Sequence, residues 1–248
     1  MKRYVRSVDD VMDMLDRLFV STGGGDWWDR FYADRERDVP FFVEKADENL
    51  VARLDDGTLA PPGRALDLGC GPGRNAVHLA ARGFDVDAVD LSATAVAWGR
   101  ERAVAAGVEA RVRFHHADLF DCPQLTHRTY DVVYDSGCLH HLPPHRRVTY
   151  LELLDRVLAP GGHFGLVCFA AGAEVGSEVD DHALYRERGL GGGLAFSPDE
   201  LRHLFREFED VEMRGMVAQG QDAATYGVPY LLTALFRRPV GDDGASSR

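Results

Sequence analysis

A glycine-rich loop lies between a predicted strand and a predicted helix in the first third of the chain. Its glycines, Gly69, Gly71 and Gly73, stand at alternate positions, and Asp67 comes two residues before the first of them. Because glycine has no Cβ atom, such a loop permits positive φ and lets the main chain approach a ligand closely. The start of the following helix also offers unpaired N–H groups to a negatively charged group. The loop therefore predicts a small-ligand site.

Two further aspartates stand where predicted strands end. Asp90 closes the second strand, and Asp118 follows the third. Because the carboxyl ends of parallel strands share one edge of a sheet, both acids are expected beside the glycine loop. There, Asp90 could accept both hydroxyls of a ribose. Asp118 could accept an adenine amino group, with Leu119 or Phe120 against the ring. This set predicts a ligand that contains adenosine.

Two ligand classes fit these residues, a nicotinamide dinucleotide and S-adenosylmethionine. A dinucleotide site cradles a pyrophosphate and usually shows G-x-G-x-x-G, whereas this loop reads G-x-G-x-G and is followed directly by Arg74. A site for an anion gains little from a buried acid at Asp67. A ligand with an ammonium group and a sulfonium gains a charge-assisted contact from it. The residues thus favour the methyl donor.

Short apolar runs alternate with helical patterns in the middle of the chain, which is typical of βαβ units around a parallel sheet. A late helix is expected to begin after Ser197, with Glu200 completing its cap. We predict a helical and aromatic lid over 1–62, a catalytic domain over 63–240 and a flexible tail over 241–248. The predicted strands are 64–69, 85–90, 111–116, 130–135, 162–169, 209–216 and 230–237. The predicted helices between them are 74–82, 93–106 and 144–158.

Several motifs of the middle region occur together. They are LDLGCGPG at 66–73, Asp90 after the second strand, AD at 117–118, and YDVV at 130–133 leading to LAPGG at 158–162. With these motifs, residues 64–170 resemble the class I S-adenosylmethionine-dependent methyltransferases. The sequences GRNAVHLA at 73–80 and FSPDEL at 196–201 are similar to the tellurite-resistance and thiopurine methyltransferase branch of that superfamily.

This resemblance implies a Rossmann-like α/β fold. Its sheet has seven strands in the order 3-2-1-4-5-7-6, with the seventh strand antiparallel and helices on both faces. It also implies S-adenosylmethionine as the cofactor, with the glycines facing its methionyl part, Asp90 its ribose and Asp118 its adenine. The candidate cofactor-binding residues are Asp67, Gly69, Cys70, Gly71, Gly73, Asn75, Asp90, Leu91, Ser92, Ala117, Asp118, Leu119, Asp135 and Ser136.

Candidate catalytic residues follow the fourth predicted strand. That strand should deliver Asp135 and Ser136 next to the transferred methyl group. His140 or His141 could face the acceptor and titrate near neutrality, although the second histidine is also explained as part of the turn before a Pro-Pro pair. A hydroxyl or ammonium acceptor needs a group that takes its proton, whereas a thiolate needs none. Tyr32 is the third candidate, because its hydroxyl could reach the donor or the acceptor.

The N-terminal 62 residues are rich in aromatic side chains, and the resemblance places such extensions over the substrate cleft. The rings could form an apolar wall that desolvates the methyl transfer, although packing explains single members equally well. The glycine-rich stretch 184–195 is expected to close over the substrate. The candidate substrate-binding residues are Trp27, Trp28, Phe31, Phe41 and His140.

Composition narrows the range of partners. Across 248 residues, 28 Lys plus Arg stand against 40 Asp plus Glu, a formal net charge of −12. This balance disfavours nucleic acid and an anionic membrane surface, because both select clustered cations. The four cysteines form no C-x-x-C pair and the His and Asp residues lack ligand spacing, so no metal is predicted. The sequence has no signal-peptide or membrane-spanning apolar run, so we expect a cytoplasmic protein.

We therefore expect an S-adenosylmethionine-dependent methyltransferase that acts on a small molecule. An oxygen or nitrogen nucleophile of a secondary metabolite is the first expectation, and a thiol, selenium or tellurium nucleophile is the alternative. A DNA base is disfavoured, because no Asn-Pro-Pro-Tyr or Asp-Pro-Pro-Tyr tetrapeptide follows the fourth strand. A non-catalytic regulator or scaffold that binds S-adenosylmethionine is a candidate from another class, and a dehydrogenase is a more distant one. The sequence does not indicate an oligomeric state.

Overall fold

The computed structural model describes residues 4–19 and 24–241. Its strands are β1 (Arg64–Leu68), β2 (Asp85–Asp90), β3 (Val112–His116), β4 (Tyr130–Ser136), β5 (Leu158–Ala170), β6 (Ala195–Phe196), β7 (Glu209–Gly215) and β8 (Leu231–Arg237). Its helices are α1 (Val8–Asp16), α2 (Gly25–Ala33), α3 (Glu48–Asp55), α4 (Arg74–Ala81), α5 (Ala93–Ala105), α6 (Pro123–Thr126), α7 (Arg146–Val157), α8 (Asp181–Glu187) and α9 (Pro198–Leu204). Strands and helices thus alternate through the middle of the chain as the sequence predicts.

A single mixed sheet organises the fold. Its strands run in the order β3-β2-β1-β4-β5-β8-β7, and β6 pairs with β5 off this path. Strand β8 is antiparallel to both β5 and β7, whereas the pairs from β3 to β5 are parallel. Without β6 this is the predicted order 3-2-1-4-5-7-6, so the predicted Rossmann-like α/β fold is confirmed. The short β6 was not predicted, because two residues are too few to show the period of a strand.

The order of the strands creates a crevice beside β1. The chain moves outward from β1 to β2 and β3, and then returns to form β4 on the other side of β1. Asp67 of β1 lies in register with Ala88 of β2 and with Tyr134 of β4. In open α/β sheets, ligands bind at such a reversal, outside the carboxyl ends of the strands. The loops that follow β1, β2 and β4 therefore face the same space.

Hydrophobic clusters cover both faces of the sheet. One contains side chains of α7 and α9 packed on the strands, with Tyr150 and Leu201 fully buried. The other contains side chains of α3, α4 and α5, with Leu50 and Leu79 almost completely buried. Burial of this kind stabilises a fold by about 25 cal/mol per Å² of apolar surface. Helices on both faces are a further part of the prediction that is confirmed.

Local signals in the sequence set most element ends. The hydroxyl of Ser197 accepts a hydrogen bond from the Glu200 N–H at 3.3 Å, and the Glu200 carboxylate accepts the Ser197 N–H at 2.7 Å, which is the predicted cap of α9. The predicted end of α7 at residue 158 is within one residue of its observed end at Val157, whereas the predicted start of β5 at residue 162 was four residues too late. Tyr130 pairs with Leu158, so β5 begins immediately after the helix.

The N-terminal segment belongs to two different parts of the molecule. Residues 46–59 pack into the core, because Leu50, Leu54 and Leu59 join the cluster of α4 and α5. Residues 24–42 instead lie over the carboxyl edge of the sheet, through α2. The domain boundary at 62 remains a prediction, and residues 1–3, 20–23 and 242–248 of the predicted lid and tail lie outside the described residues.

Candidate active site

A cavity of about 560 Å³ opens at the carboxyl edge of the sheet. The loops after β1, β2, β3 and β4 form its floor, while α2 and the segments before and after α8 complete its walls. We call the part beside the glycine loop and the strand-end aspartates the cofactor end. The part around Trp28, His140, His141, Phe169 and Leu190 is called the acceptor end.

The glycine loop forms the base of the cofactor end. Gly69 and Gly71 have φ of +62° and +51°, which side chains rarely adopt. A Cβ on Gly69 would lie 2.6 Å from the Cβ of Cys138, and a Cβ on Gly71 would lie 2.9 Å from the hydroxyl oxygen of Tyr32. Both positions therefore require glycine. Gly73 has a different task, because it begins α4 and faces the ring of Phe114 rather than the cavity.

Asp67 is a buried carboxylate at this end. It is 1% exposed and borders the cavity, and its Oδ2 has no hydrogen-bond partner among the described residues. Burial raises the pKa of Asp67 well above its usual range. A carboxylate in this position gains free energy from a cationic ligand group, because a buried charge without a partner is costly.

Asp90 and Asp118 occupy the ends of β2 and β3. The Asp90 carboxylate accepts the Gly71 N–H and the Ser92 N–H, each at 2.8 Å. Burial raises the pKa of Asp90 to about 6. Asp118 accepts the Phe120 N–H at 2.9 Å. Asp90, Leu91, Ala117, Asp118 and Leu119 all border the cavity.

An ion pair that sequence reasoning missed closes the base of the cavity. The Arg74 guanidinium lies 2.6 Å from the Asp47 carboxylate, stacks over the ring of Tyr226 at 4.4 Å, and donates to the Ser136 hydroxyl at 3.1 Å. Asp47 and Asn75 exchange two hydrogen bonds, at 2.9 and 3.0 Å. The position of Arg74 directly after the last glycine of the loop could have indicated that its side chain lies at the cavity. Nothing in the sequence points to Asp47 or Tyr226.

The last two residues of β4, which were predicted to act together, point to opposite faces of the sheet. Ser136 borders the cavity, but Asp135 is fully buried on the opposite face of the strand. The Asp135 carboxylate accepts the Cys138 N–H at 2.7 Å, the Leu139 N–H at 3.0 Å and the Tyr150 hydroxyl at 2.7 Å. Burial raises the pKa of Asp135 to about 6. Asp135 therefore fixes the turn and does not reach the cavity.

Both histidines of this turn border the acceptor end. The ring of His140 stacks on Phe169, with centroids 4.1 Å apart and planes 5° apart. The His141 ring meets Trp28 edge to face at 5.0 Å and lies 4.4 Å from the His140 ring. Burial lowers the pKa of His141 to about 4 and that of His140 well below its usual range. Both rings are therefore neutral at neutral pH.

Helix α2 brings aromatic side chains over the cavity. Asp29 attaches this helix to the start of α5, where its carboxylate accepts the Ser92 hydroxyl at 2.6 Å and the Thr94 N–H at 3.0 Å. Trp28 and Tyr32 face the cavity, and burial raises the pKa of Tyr32 well above its usual range. Trp27 lies on the outer side of the helix, where 36% of it is exposed.

Helix α1 borders the same cavity near Phe120. The Asp16 carboxylate accepts His145 Nε2 at 2.7 Å and also pairs with Arg146. Phe19 packs against His145 and Tyr185. These contacts attach the N-terminal helix to the first turn of α7.

The structure brings most of the predicted site residues to one cavity. They are Tyr32, Trp28, Phe41, Asp67, Gly69, Cys70, Gly71, Asn75, Asp90, Leu91, Ala117, Asp118, Leu119, Ser136, His140 and His141. It does not bring five others there, namely Trp27, Phe31, Gly73, Ser92 and Asp135. Residues that border the cavity without having been predicted include Asp16, Arg74, Cys138, Arg146, Phe169, Leu190, Tyr226 and Tyr230.

Comparison with known proteins identifies the family. A family model described as a methyltransferase domain matches residues 65–162. The chain is 31% identical over 204 residues to 27-O-demethylrifamycin SV methyltransferase from Amycolatopsis mediterranei, a match that covers 82% of this chain and 71% of that protein. The chain belongs to the class I S-adenosylmethionine-dependent methyltransferases. The resemblance seen in the sequence is thereby confirmed, and the methyltransferase uses S-adenosylmethionine as its cofactor.

Solved structures share the fold of the methyltransferase. One is 1,6-didemethyltoxoflavin-N1-methyltransferase from Burkholderia thailandensis, with bound 1,6-didemethyltoxoflavin and S-adenosylhomocysteine. It superimposes with a TM-score of 0.60 at 24% identity and covers 96% of this chain and 92% of that one. Another is TehB from Haemophilus influenzae, with a TM-score of 0.58 at 18% identity, covering 86% of this chain and 66% of that one. At these identities the likeness shows the fold alone.

The residues of the cofactor end fit S-adenosylmethionine. The unpaired Oδ2 of Asp67 suits the ammonium group, and the backbone at Gly69 and Gly71 borders the cavity with no side chain of its own. The Asp90 and Asp118 carboxylates border the same cavity and can accept hydrogen bonds from a ligand there. Among residues 4–19 and 24–241, no group of three or more His, Cys, Asp or Glu side chains is arranged to hold a metal ion. In that part of the chain, no helix is both long enough and apolar enough to cross a membrane.

Proposed function

We propose that the methyltransferase transfers the methyl group to a hydroxyl or nitrogen nucleophile of an apolar small molecule, such as a secondary metabolite. The observation that carries this proposal is the acceptor end itself. Its neutral histidines, His140 and His141, border a wall formed by Trp28, Phe169 and Leu190. Such a wall suits a ring-containing or aliphatic acceptor and excludes water from the reacting atoms.

The chemistry of the acceptor decides which residues have to act. When bound, S-adenosylmethionine supplies a methyl group on a positively charged sulfur, and transfer leaves S-adenosylhomocysteine. The chain has to align the nucleophile with that methyl group and to accept the proton of a hydroxyl or an ammonium. The two imidazoles are the groups of the acceptor end that can take a proton. Tyr32 lies over Gly71 and could orient either the donor or the acceptor.

The relatives support an acceptor of this kind. The protein from Amycolatopsis mediterranei is named for 27-O-demethylrifamycin SV, and the fold neighbour from Burkholderia thailandensis was solved with 1,6-didemethyltoxoflavin. Both names describe the methylation of an organic small molecule, on oxygen or on nitrogen. We propose the same general class of acceptor, an organic small molecule methylated on oxygen or nitrogen, for this chain. We propose neither of the two named compounds as its substrate.

The cover over the acceptor end is part of the same proposal. We assign this role to residues 24–42, whose Trp28, Tyr32 and Phe41 border the cavity, rather than to all of 1–62. The stretch 184–195 contributes Gly189 and Leu190 to the opposite wall, and we propose that it closes over the acceptor. Hydrogen exchange in this stretch should slow when cofactor and acceptor are both present. An unchanged exchange rate in the presence of cofactor and acceptor would contradict the proposal that this stretch closes.

A transfer assay tests the proposal. Purified protein with methyl-labelled S-adenosylmethionine is incubated with hydroxylated aromatics, aliphatic macrocycles, aromatic amines and thiols, and labelled products are identified by mass. We expect methylated hydroxyl or amine products, and loss of that activity in a variant that carries both His140→Ala and His141→Ala. Methylation of thiols alone, undiminished in the double variant, would favour the alternative nucleophile class. Cofactor binding without transfer to any acceptor class would contradict the proposal.

A further inference from the structure

The ring of His140 is held in one tautomer by the backbone. Its Nδ1 lies 3.2 Å from the N–H of Phe169, with the geometry of a hydrogen bond. A backbone N–H can only donate, so Nδ1 must be the acceptor and carries no proton. The proton of the neutral ring therefore sits on Nε2. This nitrogen has no hydrogen-bond partner among the described residues, and the ring borders the cavity.

The sheet explains why the Phe169 N–H is available for this contact. Strand β4 ends at Ser136, which pairs with Val167, and β6 pairs with β5 only from Phe169 onward, with Ala195 as its partner. The Phe169 N–H lies at the junction of β4 and β6, where it donates to His140. The carbonyl oxygen of His140 accepts the Leu194 N–H at 2.7 Å, which anchors the residue from the opposite direction.

Packing also prevents the His140 ring from turning. The ring lies flat on Phe169, and Gly193 covers both rings from the loop before β6. A Cβ on Gly193 would come within 2.7 Å of the Phe169 ring and 3.3 Å of the His140 ring, and its φ is +140°. Only glycine allows the loop to approach this closely, so the loop fixes the orientation in which Nε2 can act.

His141 has the opposite character. Among the described residues, neither of its ring nitrogens makes a hydrogen bond, and the ring is positioned by aromatic contacts with Trp28, His140 and Phe169. It is also less buried than His140, which is 5% exposed. A neutral imidazole with an uncommitted nitrogen lone pair can accept a proton.

We propose that the two histidines divide the work of methyl transfer: His140 donates a hydrogen bond from Nε2 to the acceptor oxygen, and His141 takes the proton of that oxygen. This inference rests on the proposed function for a hydroxyl acceptor. The oxygen uses one lone pair for His140 and directs the other at the methyl group. As the O–C bond forms, the C–S bond breaks and its electron pair stays on sulfur, while the O–H proton moves to His141. The resulting imidazolium later releases this proton to water.

The tautomer can be tested without any acceptor. In protein labelled with ¹⁵N in histidine, the ring of His140 should show a directly bonded proton on Nε2 and none on Nδ1. Spectra of His140→Gln and His141→Gln assign the two rings by the signals that they lose. A proton on Nδ1 of His140, or a doubly protonated His140 at neutral pH, would overturn the proposal.

Kinetics of three variants test the division of roles. His141→Gln should lower the transfer rate at saturating cofactor by about 10²–10⁴-fold, because the proton acceptor is lost. His140→Leu should lower it by about 10²-fold, since removing a donor at the reacting oxygen has effects of that order. His140→Gln should recover most of that loss, because its amide N–H reaches the position of Nε2. Cofactor affinity, measured by calorimetry, should be unchanged in all three.

Two results would separate this proposal from the proposed function. If His141→Gln retains the full rate and His140→Gln is inactive, the proposed roles of the two histidines are wrong. The proposed function would still hold, because the reaction would still require a histidine. If every histidine variant retains full activity, and only thiols are methylated, the proposed function has failed. The labelled spectra then still report whether His140 is held in its donor form.

Discussion

The two ends of the cavity are built from different material. The cofactor end consists of backbone and carboxylates that follow consecutive strands, all within residues 67–118. The acceptor end collects side chains that are far apart in the chain, from Trp28 to Leu190. The first is charged, with carboxylates whose pKa values are raised by burial, and the second is apolar with neutral imidazoles. The ends of the sheet strands thus form one end of the cavity, while segments that connect separate elements form the other.

The largest effect is expected from a change at the cofactor end. Asp90→Asn should weaken S-adenosylmethionine binding by about 100-fold or more, because hydrogen bonds to a charged carboxylate contribute about 1.5–3 kcal/mol each. Calorimetry gives the dissociation constant. The matched control is Trp28→Ala at the acceptor end, which should leave that constant unchanged. An equal loss of cofactor affinity in both variants would show that the two ends of the cavity do not bind different ligands.

Asp67→Asn should have opposite effects on binding and on stability. Loss of the charge should weaken cofactor binding by about 10- to 100-fold. Because burial raises the pKa of Asp67 in the folded state, its charged form destabilises the fold as pH rises above the value of the unfolded chain. The ligand-free variant should therefore melt at a higher temperature at pH 7. A lower melting temperature, with unchanged affinity, would contradict the assignment of Asp67 to the cofactor.

Cofactor affinity should depend on pH through Asp90. Its pKa of about 6 in the ligand-free protein means that protonation competes with ribose binding below that pH. Measured as the difference between the parent protein and Asp90→Asn, which cancels the titration of Asp67, the contribution of Asp90 to affinity should be constant above pH 7 and fall about tenfold for each unit below 6. Asp135→Asn is the matched comparison, since Asp135 has a similar pKa but lies outside the cavity, and this variant should keep the dependence.

The smallest effect distinguishes two neighbouring tryptophans. Trp28→Ala removes an aromatic contact with His141 and should raise the KM for the acceptor about fivefold to tenfold, in line with the value of such ring pairs. Trp27→Ala, on the outer side of α2, should leave the KM unchanged. Steady-state kinetics with a fixed cofactor concentration measure both. A larger effect at Trp27 would mean that the acceptor approaches from the outer face of the helix.

The cofactor end could be predicted from the sequence because it follows the local rules of a parallel sheet. A strand, a glycine turn and an acid after the next strand are all readable within short windows, as Asp67, Gly71 and Asp90 illustrate. The prediction placed both Asp135 and Ser136 beside the transferred methyl group, but only Ser136 borders the cavity. Successive side chains of a strand point to opposite faces, so only one of the two can face the cavity. Because both residues were predicted to lie at the end of one strand, this alternation could already have predicted that only one of them faces the cavity.

The acceptor end could not be predicted in the same way. Phe169, Leu190 and Tyr230 reach it through the packing of separate segments, and no spacing in the sequence connects them. The ion pair of Arg74 with Asp47 is equally invisible, because it joins two elements through tertiary contact. The tautomer of His140 depends on the Phe169 N–H, which lies where the pairing of β4 with β5 has ended and that of β6 begins.

The hydrogen bond from Tyr150 to Asp135 connects the far side of the sheet with the turn that carries His140 and His141. Tyr150 lies on α7, outside the cavity, yet it holds the carboxylate that fixes the Cys138 and Leu139 amides of the histidine turn. A substitution at Tyr150 should therefore alter the position of both histidines without changing any residue that borders the cavity. In a designed library, Tyr150 and its neighbours deserve randomisation alongside the pocket wall.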